Sequence, residues 1–393
     1  MKIQENLHWI GVYDPSLKIF DVEMPTNGTT YNSYLVRGEV AAVIDTVKAG
    51  FYESFLNRLG KLTPLSLVKY VVVNHTEPDH TGSLGRLLAE IPQAKVVCTK
   101  TAKNFLEAQF NRKFDCLIAE EIGRLDLGGG MVLEFVKAPF LHWPDAMVTY
   151  LPAYETLFSC DAFGAHYCEE GKLFDDEMGD HFPAARFYYE AIVSPFNPHV
   201  RKALSLLENH QLSLICPSHG PILRSRLKEM LQHYAEWSKE VLSFPSATLL
   251  FSSAYGNTEL LAKALRKGLE EEGISVKEIK AEHGFDSAAA IESAHNSHAL
   301  LVGSPTITAD AVGSIWEVLG HLNPIRMKGK PGLAFGSYGW SGEAVKSIES
   351  RFDTLGLKPV EGMKVNFVPT ENDLAAAREL GKNFALQIKE RVS

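Results

Sequence analysis

Asn74-His75-Thr76-Glu77-Pro78-Asp79-His80 follows directly on the apolar run Val68 to Val73. A short β-branched run of this kind predicts a buried strand, so His75, Glu77, Asp79 and His80 sit in the loop that leaves its C-terminal end. Three more metal-ligating side chains stand at comparable places. His142 follows the strand expected to end near Val136, Asp161 ends the strand-like run Leu157 to Cys160, and His219 follows Leu212 to Cys216. Loops at one edge of a sheet converge on a single point, and seven ligands from four loops make a binuclear metal site.

The donor set narrows the choice of metal. Glu77, Asp79 and Asp161 are three carboxylates, four imidazoles fill the remaining positions, and Asp161 is the natural bridge. Two ferrous ions, three carboxylates and one hydroxide sum to zero charge, which a buried site can hold. No thiolate is present in the set, so iron or manganese suits it better than a structural zinc. The five cysteines, Cys98, Cys116, Cys160, Cys168 and Cys216, contain no Cys-x-x-Cys pair. They read as reduced packing residues, and the chain carries no rubredoxin-like module of its own.

Outward from this site the first part alternates strand-like runs with short helical patterns, at Val40 to Ile44, Lys95 to Cys98, Val132 to Val136 and Val148 to Leu151. A helical spacing of apolar residues from Leu227 to Trp237 breaks at Phe244-Pro245-Ser246. The predicted domains are therefore 1–245 and 246–393, as expected for a chain of 393 residues. The second part runs strand (Thr248 to Phe251), helix (Thr258 to Glu272), strand (Val276 to Ile279), with further strands at Ala299 to Val302 and Leu333 to Phe335. Such alternation predicts a doubly wound parallel sheet.

The first strand of that sheet leads into Ser252-Ser253-Ala254-Tyr255-Gly256-Asn257-Thr258, which opens a helix. Hydroxyls, a glycine and free backbone N–H groups at a helix N-terminus form a phosphate cradle without a basic side chain. Two later loops also lie at strand ends: Ser304-Pro305-Thr306-Ile307 after Gly303, and Ser337-Tyr338-Gly339-Trp340 within Gly336 to Gly342. Their small residues admit a flat ring, on whose face Tyr338 or Trp340 can stack.

These residues carry a resemblance. His75-x-Glu77-x-Asp79-His80 resembles the metal motif of the metallo-β-lactamase superfamily in the form found in flavodiiron proteins, where Glu replaces the second His of the hydrolases. Tyr255-Gly256-Asn257-Thr258 is similar to the FMN phosphate loop of the same family, with Ala254 where a Met is frequent. The resemblance implies an αββα sandwich followed by a flavodoxin-like domain. It implies that His75, Glu77 and His142 bind one iron, that Asp79, His80 and His219 bind the other, and that Asp161 bridges them. FMN would lie on Ser253 to Thr258, Ser304 to Ile307 and Ser337 to Trp340. Tyr188 and Tyr189 are candidate proton donors near the irons, with packing as their alternative role.

The implied activity is reduction of dioxygen to water, of nitric oxide to nitrous oxide, or both, with FMN refilling the irons. A head-to-tail homodimer or dimer of dimers is implied too, with an external donor, rubredoxin first and a reduced deazaflavin second. The rival readings are a zinc-dependent hydrolase with an accessory flavodoxin-like domain, and an electron carrier with an inactive front domain. A net charge of −9 argues against nucleic acid as a partner. No apolar run reaches the roughly 18 residues of a membrane span, and with no secretory pattern at Met1 to Glu5 the expected location is the cytoplasm.

Overall fold

The computed structural model describes residues 1–22, 24–239 and 244–392. They fall into two compact units, Met1–Glu240 and Val241–Ser393. Phe244 and Pro245, at the sequence break, precede the first strand of the second unit, Ser246–Phe251.

The first unit is built on a seven-stranded and a five-stranded sheet. In the larger, Ala41–Ile44, Val68–Val72, Lys95–Cys98 and Cys116–Ile118 lie side by side and parallel, and Tyr34–Arg37 and Leu7–Trp9 extend it antiparallel. In the smaller, Val132–Lys137, Met147–Leu151 and Thr156–Cys160 form an antiparallel meander, to which Leu214–Pro217 adds in parallel. The two inner faces share one core, with Val36, Ile44, Val72 and Val97 against Leu133, Met147, Phe158 and Cys216. Helices cover both outer faces. Tyr52–Leu62, Leu84–Glu90 and Lys100–Phe110 bury Phe55, Leu59, Leu87 and Leu106 on the larger sheet. Asn197–Leu207 and Leu227–Trp237 bury Val200, Leu207, Met230 and Tyr234 on the smaller. This is the αββα sandwich. Strands covered on both faces need apolar residues at successive positions, which is why Met147–Leu151 and Thr156–Cys160 are buried throughout.

The second unit has one sheet of five parallel strands, in the spatial order Ser275–Lys280, Ser246–Phe251, Ala299–Gly303, Pro331–Tyr338, Lys358–Asn366. In chain order that is 2-1-3-4-5, the flavodoxin-like winding, whose switch point lies beside the first strand. Helices Asn257–Glu271 and Glu371–Val392 cover one face, through Leu261, Leu265, Phe384 and Ile388. They cross closely because Gly268 and Gly381 stand at the crossing, where a Cβ would run into Arg378 O and Leu265 O. One expectation is corrected here. Gly336, Ser337 and Tyr338 are strand rather than loop, because they pair with Lys364, Val365 and Asn366 of the edge strand. No helix among the described residues is long and apolar enough to cross a membrane.

Candidate functional site

Both sheets of the first unit contribute to the site, rather than one sheet edge alone. Val68–Val72 of the larger sheet leads to His75 and Glu77, and the short helix Pro78–Thr81 carries Asp79 and His80. Asp161 stands at the end of Thr156–Cys160, and His219 just beyond Leu214–Pro217. Cys160, immediately before Asp161, has a φ of +52°. A non-glycine residue held there is strained by about 1–3 kcal/mol, and the surrounding sandwich keeps it in place.

All seven candidate ligands converge, and they divide into two groups about Asp161. Its Oδ2 lies 3.6 Å from His75 Nε2 and 3.5 Å from His142 Nε2, and Glu77 Oε2 is 3.2 Å from both imidazole nitrogens. Its Oδ1 lies 3.1 Å from His80 Nε2 and 3.6 Å from His219 Nε2, while Asp79 reaches the same two rings at 3.4 and 3.0 Å. Atoms that ligate one ion at about 2.1 Å stand roughly 3.0–3.4 Å apart, so each group is spaced to hold one metal. The carboxylate oxygens of Asp79 and Asp161 are buried and have no hydrogen-bond partner. Buried, unsatisfied carboxylates are costly, and a pair of divalent cations between these groups removes the penalty. The residues therefore fit a binuclear centre.

Electrostatics in the metal-free chain point the same way. Burial would depress the His75 imidazole, but its hydrogen bonds to Asp145 and Glu77 and the charge of Asp161 raise it to about 10. His80 is raised well above its ordinary value, because Asp79 and Asp161 outweigh its burial. Burial pushes Asp161 up, but His80 and His142 hold it well below the carboxylate range. Protons thus occupy the place of the cations, and metal entry must displace them. With His75 protonated up to about pH 10, iron affinity of the metal-free protein is expected to rise between pH 6 and pH 8, roughly tenfold per unit for each proton released. Anaerobic iron titrations at those two pH values check this; an affinity independent of pH would contradict it.

Around the ligands the structure places groups that the sequence did not single out. Asp145, fully buried, accepts from Thr76 N at 2.9 Å and Thr76 Oγ1 at 2.8 Å, and its Oδ2 lies 3.4 Å from His75 Nδ1. It fixes the ring so that Nε2 faces the other ligands. Its position, three residues after His142, was the available signal. His219 Nδ1 is 2.7 Å from Thr30 O, which orients that ring in the same way. Asp145→Asn is expected to lower iron affinity about 10- to 100-fold while the fold persists, measured by iron titration and by the His75 tautomer in ¹⁵N NMR. Unchanged affinity and tautomer would remove Asp145 from this role.

The candidate tyrosines separate. Tyr188 packs 4.9 Å from the His166 ring and 6.2 Å from the His219 ring. Tyr189 turns away, hydrogen-bonds Asn197 and packs on Tyr234 and Trp237. The site does not include it.

In the second unit, the three expected loops meet at the C-terminal ends of the first, third and fourth strands. Thr258 Oγ1 and Ser337 Oγ are 2.8 Å apart, Thr306 N donates to Ser337 O at 3.1 Å, and Ser304 Oγ accepts from Val312 N at 3.1 Å. Gly256, at φ +83°, turns the chain into helix Asn257–Glu271, which has no side-chain N-cap. Glu259 N donates to Ser253 Oγ at 3.3 Å, and the N–H groups of Asn257 and Thr258 remain for an anion. Tyr255 and Trp340 are 93% and 95% exposed, which leaves both rings able to stack on a flat ligand. The cradle and the aromatics fit a flavin mononucleotide.

The comparisons agree with this geometry. Residues 29–220 match a family described as ODP family beta lactamase, and residues 249–381 match Flavodoxin. The chain is 39% identical to Flavo-diiron protein FprA2 of Clostridium acetobutylicum, over 99% of both chains. It is 34% identical to an anaerobic nitric oxide reductase flavorubredoxin of Aeromonas hydrophila, over 98% of this chain and 79% of the relative. Among solved structures, rubredoxin oxygen:oxidoreductase from Desulfovibrio gigas aligns with a TM-score of 0.68 at 28% identity, covering 100% of this chain and 99% of the other. A sandwich ending in two ligand groups about one carboxylate, a flavin cradle at a sheet switch point, and full-length likeness to these proteins lead to one assignment: the chain belongs to the flavodiiron protein family.

Proposed function

We propose that this chain reduces dioxygen to water, nitric oxide to nitrous oxide, or both, at a non-haem di-iron centre re-reduced through FMN. The observation that carries the reading is the split of Asp161, one oxygen toward His75, Glu77 and His142 and the other toward Asp79, His80 and His219. Residues 1–245 would hold the irons and 246–393 the flavin. Bound together, two ferrous ions and FMN supply open coordination positions and enough stored electrons to reduce a gas without releasing it half-reduced.

The protein's part is to hold and shield. Three carboxylates balance the metal charge, while Asp145 and the Thr30 carbonyl aim two of the imidazoles. Trp143 packs edge-on at 4.9 Å from His75, and Phe20 lies 5.6 Å from His219; both rings keep bulk water from the ligands. Tyr188, whose burial pushes its phenol well above the ordinary value, stays neutral beside them. Tyr255 and Trp340 would flank the flavin and leave its edge to a donor. Rubredoxin is the first candidate donor, and a head-to-tail homodimer would bring the flavin of one copy to the irons of another. The same ligand set serves both gases, so the choice between them lies in the pocket around it.

The test is product analysis with the iron- and FMN-loaded protein and a reduced donor. The expected result is consumption of four donor electrons per O₂, giving water with no peroxide, or of two electrons per pair of NO, giving one N₂O and one water. Accumulation of hydrogen peroxide in step with O₂ loss, with no N₂O from NO, would overturn the reading.

A further inference from the structure

The first unit has a pocket of about 290 Å³ behind His219, open to solvent on one side, with Thr26 and Asn27 beside its mouth and His166, Pro183, Ala184, Phe187 and Tyr188 along its walls. We propose that it is the docking pocket and entry path of a small uncharged gas, an inference that rests on the gas-reductase reading. Pro183 is exposed and Phe187 is 46% exposed, so they mark the mouth. His166 and Tyr188 are buried and form the floor. The His166 ring stands 4.8 Å from that of His219, and Tyr188 6.2 Å. The cavity therefore ends one ring away from the ligands.

The lining selects the occupant. Its surface is mostly hydrocarbon and includes no charged side chain, and of its polar members Asn27 is exposed and Thr26 half-buried, neither on the buried floor. His166 contributes the one buried polar atom without a partner, Nε2, because its Nδ1 is 2.9 Å from Thr29 Oγ1. A water molecule needs two to four polar partners to settle firmly, and the buried floor offers few, so water there is loosely held and an apolar gas displaces it. At the buried floor formed by His166 and Tyr188, an ion or a charged ester would lose hydration without compensation. Dioxygen and nitric oxide lose almost none. The opposite end of the ligand set is polar, since Glu77 and His142 side chains are 16% and 13% exposed. A charged reactant would meet that rim, whereas an apolar gas dissolves preferentially in the cavity. Phe20, 4.1 Å from the His166 ring, and His166 itself separate the floor from His219.

The test uses crystals of the iron- and FMN-loaded enzyme under xenon pressure, with Ala184→Phe to fill the cavity. Xenon is expected between Pro183, Ala184 and Tyr188 in the native protein and absent in A184F. In A184F, kcat/KM for the gas should fall about tenfold through KM, with kcat kept, and with iron content, FMN content and flavin reduction by the donor unchanged. If A184F does not fold, Ala184→Val gives the same test at smaller amplitude. No xenon in the native cavity, or an unchanged kcat/KM in a folded filled variant, overturns the proposal. Xenon bound in an enzyme that reduces neither gas supports the pocket and counts against the reductase reading instead.

Discussion

Asp161→Ala retains FMN, loses most of its iron, and reduces O₂ and NO about four orders of magnitude more slowly, a loss of roughly 5 kcal/mol at about 1.36 kcal/mol per factor of ten. Asp161 is the one residue that faces both ligand groups, with Oδ2 toward His75 and His142 and Oδ1 toward His80 and His219. Its removal takes a charge and a donor from both metals at once. Removal of His219 would affect one group only, so its effect should be smaller. In D161A, His75 and His80 lose one of the anions that hold their imidazoles protonated and shed protons more readily, which lets the sandwich persist without metal. Iron and flavin counts on the purified variant, with gas consumption under a reduced donor, check the expectation. Loss of FMN together with iron would show that the two sites are not independent.

Gly256→Val gives the opposite dissociation: iron stays, and FMN binds roughly 30-fold more weakly, the equivalent of about 2 kcal/mol. Gly256 has a φ of +83°, and a Cβ placed there meets no atom within 4 Å. Space is therefore not the obstacle. A β-branched residue resists the left-handed conformation, so the loop must change shape and the N–H groups of Asn257 and Thr258 lose their aim at the phosphate. Gly256→Asn, which tolerates that conformation, should bind FMN nearly as well as the native chain. Titration of FMN into the flavin-free variants, followed by Tyr255 and Trp340 fluorescence, separates the two. Equal weakening by Val and Asn would place the effect in side-chain bulk rather than backbone geometry.

These contrasts follow from how locally each feature is encoded. His75 to His80 could be read because four donors fall within a few residues of a strand end, and Tyr255 to Thr258 because a helix N-terminus announces its own free N–H groups. The strands Lys95–Cys98 and Val132–Lys137 were legible from their β-branched runs. Asp145, Thr29 and His166 were not, because their roles exist only once distant segments meet: Thr29 and His166 touch across 137 positions of sequence. The same holds for Gly336 to Tyr338, whose composition suggests a turn but whose conformation is set by pairing with Lys364 to Asn366. Neighbouring tyrosines could not be told apart in the sequence either. A helix sends adjacent side chains about 100° apart, so only packing decides that Tyr188 faces His219 and Tyr189 faces Tyr234.

The most direct test of the central claim is anaerobic. Iron, zinc and FMN are counted in the purified protein, which is then reduced chemically and mixed rapidly with O₂ and, separately, with NO while flavin absorbance is followed. Close to two irons and one FMN per chain, with rapid flavin reoxidation by at least one gas, is the expected result, and the faster gas names the preferred substrate. Zinc in place of iron, or a reduced flavin indifferent to both gases, would contradict the account and favour a hydrolase in the metal-binding unit.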